Sequence, residues 1–420
     1  MFLQLLTKIR RIEPWHRTLY VMFVVQLSAA IGFSTIFPFL PLYVQSLDSS
    51  LGLSVEFLAG LVFSAQAATM MIASPVWGAF ADRHGRKLMV QRATFGGAVL
   101  VALMGFVTSA EQLIILRAIQ GVVTGVVSAV NALVAASAPR ERTGYAMGVI
   151  QVGLGSGVAL GPLIGGVLAD AFGYRMAFVI TGLLLLVAGL LVSVGVEEKL
   201  SADIRQEHRQ RSFVADWRNI LTATGVPQTY GLTFISTLCR VMLIPIAPLF
   251  ILTLLPESAS VNTFTGLVIG VSAGAGTVAA IFLGRLGDRV GHQKILTLSA
   301  LAAGLLFLPQ TLVTSAWQLL LLQSLSGAAA GGMLPTLGAL LARYTRPGDE
   351  GSAYGIENSL RAASRAVAPL IGAAIATWFS LRLTFAATGI LFLVVAGLAL
   401  WILPKSHSVG EVITNIDTSG

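Results

Sequence analysis

Charged residues leave long gaps in this chain. Between residues 18 and 403 the sequence falls into about twelve stretches of some twenty largely apolar residues, each closed by charged or turn-forming residues. They run near 18–45, 58–80, 88–108, 111–136, 143–169, 174–196, 225–254, 262–284, 293–313, 316–342, 351–378 and 382–403. At a rise of about 1.5 Å per residue, each such helix crosses roughly 30 Å of hydrocarbon. Within lipid a helix satisfies its own backbone polar groups, so the pattern predicts an all-α membrane protein of about twelve transmembrane helices. A composition of 55% hydrophobic and 11% charged residues over 420 positions fits a chain whose solvent is the lipid bilayer.

The formal charge of +8 is a matter of placement. Lys8, Arg10, Arg11, Arg17, then Arg83, Arg86, Lys87, Arg92, then Arg140 and Arg142, then Lys199, Arg205, Arg209, Arg211 and Arg218 flank one side, and Arg285, Arg289, Lys294, Arg343, Arg346 and Lys405 continue the series. The intervening loops hold only Arg175 and Arg382. By the positive-inside rule both termini and the central loop are expected in the cytoplasm, and the charge signals topology with no nucleic-acid partner. The single cysteine, Cys239, excludes an intramolecular disulfide and a thiolate cluster. The first apolar run is too long for a cleavable signal peptide.

Residues 197–224 form the one long polar segment inside the chain and divide six spans from six. This predicts an N-terminal bundle over 1–196, a cytoplasmic linker over 197–224 and a C-terminal bundle with a short tail over 225–420. The halves repeat at about 206 residues: Gly78, Asp82, Arg83, Gly85 and Lys87 correspond to Gly284, Asp288, Arg289, Gly291 and, one step displaced, Lys294. Phe172, Arg175, Phe178, Thr181 and Gly182 recur as Phe379, Arg382, Phe385, Thr388 and Gly389. A parallel repeat of two six-span halves predicts a midplane substrate path and alternating access.

The segment from Gly78 through Asp82, Arg83, Gly85, Arg86 and Lys87 resembles the signature loop of the major facilitator superfamily. Leu116-Arg117 through Gln120-Gly121 to Gly125 resembles the fourth-helix motif of its proton antiporters, and Gly153, Gly157, Gly161, Pro162, Gly165 and Gly166 resemble the fifth-helix motif of its twelve-helix drug:proton antiporters. The resemblance covers essentially the whole chain. It implies two pseudo-symmetric six-helix bundles, proton-coupled efflux of small organic molecules, Arg117 in the coupling machinery, and Asp82 in a conformational latch that also involves Arg83, Arg86, Lys87 and the second copy at Asp288 and Arg289. The amino-terminal end of span eleven carries partial positive charge that the Asp82 carboxylate would stabilise by about 0.3 to 1 kcal/mol. Gly85 suits a tight turn with positive φ, and the neighbouring cations are expected to stay in water.

Gly153, Gly157, Gly161 and Gly165 recur every fourth residue and give one smooth helix face. Gly266, Gly270 and Gly274 form a matching ladder in span eight, so the two helices are expected to pack ladder to ladder, with Pro162 bending the first. Pro38, Pro41, Pro245 and Pro248 occupy corresponding positions late in spans one and seven and predict helix breaks.

Ionisable groups inside spans are costly and point to function. The set is Arg117, Arg240, Glu357, Arg361 and Arg365. Glu357 lies roughly 9 Å into span eleven and is the candidate proton carrier. Arg361, at i+4, faces it and would alternatively hold it in a static pair. Arg240 and Arg365 have no carboxylate in reach along the sequence, which suits either helix carbonyls or an anionic substrate group. Gln26, Ser34, Asn131, Gln151 and Asn358 supply uncharged polar groups for a substrate cavity.

The five histidines lie in loops or tails, and there is no GxxxxGK loop, so neither an enzyme nor a direct ATP motor is indicated. No metal or cofactor is expected. The partners are protons, a small molecule and the bilayer, and a monomer suffices for the mechanism. Proton-coupled export leads; a proton-coupled or facilitative metabolite transporter, or a lipid or glycolipid flippase with an anionic substrate, stays open.

Overall fold

The computed structural model describes residues 14–139, 142–196, 223, 225–256, 260–345 and 350–403, with the side chains of 14, 78, 79, 82, 83, 136 and 350–352 excepted. Most of the proposed linker and the tail therefore lie outside the described residues. The described chain is helical, and its one strand-like feature is an isolated bridge between Asp48 and Ser109.

The helices are α1 (Pro14–Ser34), α2 (Leu40–Gln45), α3 (Val55–His84), α4 (Arg86–Met104), α5 (Ala110–Val123), α6 (Val126–Ser137), α7 (Thr143–Gly195), α8 (Val226–Val241), α9 (Ala247–Leu254), α10 (Val261–Val290), α11 (His292–Phe307), α12 (Ala316–Gly331), α13 (Met333–Tyr344), α14 (Glu350–Trp378) and α15 (Leu381–Trp401). Nine segments among the described residues are long and apolar enough to cross a membrane. One of these is α7, whose 53 residues would span about 80 Å as a straight helix, far more than one bilayer. It turns back at Gly173, where φ is +77° and ψ 166°, and so supplies two crossings. The two remaining crossings fall short for local reasons: α8 and α9 are separated by a break, and α14 carries Glu357, Arg361 and Arg365.

Breaks fall where the prolines place them, at 35–39 between α1 and α2 and at 242–246 between α8 and α9. A further break, at Thr124 and Gly125 between α5 and α6, requires φ of +126° at Gly125. The helix exteriors are apolar: Ile72, Val99, Val194, Phe282, Leu298 and Leu321 are each more than half exposed, as a lipid-facing surface requires.

The chain packs as two compact units, one of residues 1–210 and 245–274 and the other of 211–244 and 275–420. The first thus holds α9 and the first half of α10, which the repeat assigns to the second half of the sequence.

Each unit rebuilds the other's local devices in the same register. Ser109 Oγ accepts from the Gln112 backbone N–H while Gln112 Oε1 accepts from Thr108 N, capping α5; Ser315 and Gln318 form the corresponding capping box on α12, 206 residues later. Gly182 lies against the Ala98 carbonyl, and Gly389 packs on Gly304. Lys87 Nζ donates to the Ser193 and Val196 carbonyls at 3.0 and 2.6 Å, closing the carboxyl end of α7. Gln293 Nε2 donates to Ala399 O at 2.9 Å at the matching place. The counterpart of Lys87 is therefore Gln293 and not Lys294, because the position is defined by reaching a helix end, a task either a cation or an amide performs.

Candidate functional site

The glycine ladder of α7 does not face its expected partner. Side chains added at Gly157, Gly161 and Gly165 would strike Ala30, Ser34, Ile31 and the Thr35 backbone, and one at Gly153 would meet Phe23, so this face lies on α1. The next face of α7 meets α10. Gly166 lies on the Asn262 carbonyl, Gly266 on that of Pro162, and a Cβ at Gly270 would stand 2.6 Å from Ala159 O. Gly274 is looser, with Ala159 Cβ at 3.7 Å. A smooth stripe tells that some backbone comes close, and α7 carries two such stripes for two neighbours.

Where α7 and α10 meet, the Asp170 carboxylate receives Asn262 Nδ2 and the Thr263 backbone N–H, both at 2.7 Å. Thr263 lies in the first turn of α10, where amide hydrogens have no helical acceptor, so Asp170 caps that helix from outside it. Sequence reasoning missed Asp170. Its signal was a lone acidic residue four positions after Gly166.

Ser34, expected in a cavity, is committed to packing. Its hydroxyl donates to Ala30 O at 2.7 Å and to Gly157 O at 3.1 Å, a bond made possible because Gly157 carries no side chain. Gln26 is fully buried with both amide atoms unpartnered, and Asn131 Oδ1 is likewise unpartnered. Gln151 and Asn358 are exposed.

Arg117 is 1% exposed. Instead of a carboxylate it meets neutral acceptors, with Nη1 donating to Gln120 Oε1 at 2.8 Å and Nε to Val62 O at 3.4 Å, and its guanidinium lies 5.5 Å from the Phe63 ring centroid. Nη2 and Gln120 Nε2 have no partner. One turn further on, Gly121 lets α5 approach α3 closely enough for Thr69 Oγ1 to donate to Ala118 O at 2.7 Å.

At the signature loop, Gly85 adopts φ of +99° and its repeat Gly291 +103°. The side chains of Asp82 and Arg83, with Gly78, lie outside the described set. The neighbouring cations do not all stay in water. Arg86 Nη1 donates to Ala132 O at 3.1 Å and Lys87 seals α7, so both anchor helices within their own unit. Asp288 is exposed 3.4 Å from His292, and Arg289 is exposed.

In the second unit α14 lies along α8. Tyr230 Oη donates to Ala353 O at 3.0 Å, Ser364 Oγ to Phe234 O at 2.9 Å, and Gly372 lies on the Met242 carbonyl. Glu357, 4% exposed, receives Arg361 Nη2 at 2.6 Å. It is the only acidic side chain among the buried described residues. Arg240 and Arg365 are exposed.

A multi-pass helical bundle, built twice over in one register and carrying its few charges on apolar spans, defines an integral membrane protein. The Major Facilitator Superfamily model matches residues 22–227 and 229–417, and the chain belongs to that superfamily. It is 34% identical over 383 residues to the multidrug resistance protein MdtG of Enterobacter lignolyticus strain SCF1, covering 90% of each chain. To MdtG of Dickeya zeae strain Ech586 it is 32% identical over 96% of this chain and 98% of that one. The crystal structure of the nucleoside transporter NupG superposes with a TM-score of 0.78 at 12% identity, over 92% of this chain and 100% of that one, which shows the shared fold. The chain is a secondary transporter for small molecules and not an enzyme.

Proposed function

We propose that this protein is a proton-coupled exporter of small organic molecules in a bacterial inner membrane, with both termini cytoplasmic, and that Glu357 is its proton carrier. Its halves, 1–196 and 225–420, rock about the segment 197–224 to give alternating access, and one copy of the chain is enough. Export is favoured by the likeness to proteins named for multidrug resistance and by the Gly153 to Gly165 stripe with Pro162.

The observation that carries the reading is the buried Glu357–Arg361 pair at 2.6 Å. A carboxylate at that depth is tolerated because the guanidinium neutralises it. Protonation removes the charge, the pair loses most of its attraction, and Arg361 is freed to turn elsewhere. Such a pair has two arrangements that differ by one proton, which is what coupling requires. Arg117 supplies a fixed positive charge in the first unit.

The test is uptake into everted vesicles. The wild-type chain is expected to accumulate substrate in a manner abolished by an uncoupler, whereas Glu357→Gln retains counterflow exchange and loses accumulation by tenfold or more. Undiminished proton-driven accumulation by Glu357→Gln would make the pair a static one.

A further inference from the structure

Arg240 and Arg365 are charges without counter-charges. Arg240 occupies the last turn of α8, where carbonyl dipoles compensate it in part; Arg365 lies in the body of α14, where nothing of the kind is available. Neither donates a hydrogen bond or joins an ion pair within the described residues. Arg361 and Arg365, one turn apart, share a face of α14, and both fall within electrostatic reach of Arg240. The single carboxylate there, Glu357, is taken by Arg361.

That face therefore carries a net charge of about +2 at mid-span depth, where an unpaired cation turned to lipid is strongly disfavoured. Arg240 and Arg365 are both exposed, and an uncompensated guanidinium at that depth favours water over lipid. The same stretch of α8 presents Thr233, Ser236 and Thr237, whose buried hydroxyls have no partner. They precede Arg240 by seven, four and three residues, which places them on its side of the helix. Two exposed guanidinium forks, which donate and cannot accept, make a donor-rich surface, with the unpartnered hydroxyls buried behind it.

We propose that Arg240 and Arg365 bind the oxyanion of the transported molecule, so that the substrates are organic anions bearing a carboxylate, sulfonate or phosphate. This deepens the exporter reading and rests on it. Glu357 acts in the empty protein as an internal anion that occupies Arg361, leaving the other two arginines for the substrate. A cation meets repulsion at this face, and a neutral analogue leaves the donors unpaired.

Three naphthalene probes of nearly equal size test the assignment by equilibrium binding to the full chain in nanodiscs: naphthalene-1-sulfonate, 1-naphthalenemethanol and 1-naphthylmethylammonium. The sulfonate is expected to bind at least about tenfold more tightly than the alcohol, and the ammonium more weakly still. Arg240→Gln and Arg365→Gln should each weaken the sulfonate about tenfold and leave the alcohol unchanged. Glu357→Gln, which releases Arg361, should tighten the sulfonate. Dihexanoyl phosphatidic acid serves as a competitor: displacement of the sulfonate identifies lipid headgroups as occupants of the same oxyanion site, and its failure leaves soluble anions as the ligands.

Equal affinity for the sulfonate and the alcohol, or equal losses for both in the arginine variants, would overturn the proposal. So would a lack of sulfonate binding in protein that keeps its thermal unfolding transition. Because the readout is binding and not accumulation, failure here leaves proton-driven export standing, and loss of coupling in Glu357→Gln leaves the anion preference standing.

Discussion

Two charged side chains, among the described residues, are deeply buried and are stabilised in opposite ways. Glu357 has a full counter-charge at 2.6 Å, whereas Arg117 has one amide oxygen, one backbone carbonyl and an aromatic face, with Nη2 unpartnered. An underpaired buried cation destabilises the fold, which makes Arg117 a candidate for a task in transport. Arg117→Gln is therefore expected to match or exceed the wild-type thermal midpoint while proton-driven accumulation falls at least tenfold. A drop in stability beyond the roughly 1–3 kcal/mol that an orphaned Gln120 would explain would show that Arg117 is scaffolding. At this scale the sequence reveals which residues are candidates for function more readily than what they touch. Arg117, Glu357 and Arg361 stand out because charge is rare in apolar spans, and Glu357 with Arg361 was legible as an i, i+4 pair. Gln120, at i+3 from Arg117, was open to the same arithmetic. Ser34 was not, since its acceptor Gly157 lies 123 residues away.

Among the elements, α7 is the one most closely engaged by neighbours, seated on α1 by one stripe of small residues and on α10 by another. The stripes were legible because spacing is a property of one helix; their partners were not, because partnership depends on how several helices share space. The same limit explains Asp170, whose capping of α10 bridges 93 residues. Helix breaks at Pro38 and Pro245 were legible from proline chemistry, while the break at Gly125 was concealed within a motif read for its arginine. The close contacts imply a graded cost. Gly165→Ala drives a methyl into the Thr35 backbone and should destabilise by about 1–3 kcal/mol. Gly274→Ala meets only a methyl at 3.7 Å and should stay within about 0.5 kcal/mol, or gain slightly from helix propensity. Thermal unfolding of the two purified variants checks the order, and equal midpoints would mean that α1 and α7 are not held at the observed distance.

For the whole molecule, the repeat has consequences that reach beyond sequence identity. Ser109 with Gln112 and Ser315 with Gln318 cap equivalent helices, and Lys87 and Gln293 close equivalent ends, although only the first pair preserves its chemistry. Both α5 and α12 thus begin on one side of the membrane, and the basic loops that contain Gly85 and Gly291 lie on the other, since each pair is separated by one crossing. In the proposed topology that second side is the cytoplasm. Cys239 is fully buried, so after Cys239→Ser a single introduced thiol reports sidedness without background. Leu51→Cys, in the exposed connection between α2 and α3, is expected to react with a membrane-impermeant maleimide in intact cells. Ser201→Cys, in the basic central segment, should react only after permeabilisation. The reverse pattern would place Lys87 and Gln293 at the outer face and overturn the proposed topology, while the direction of antiport would still follow the proton gradient.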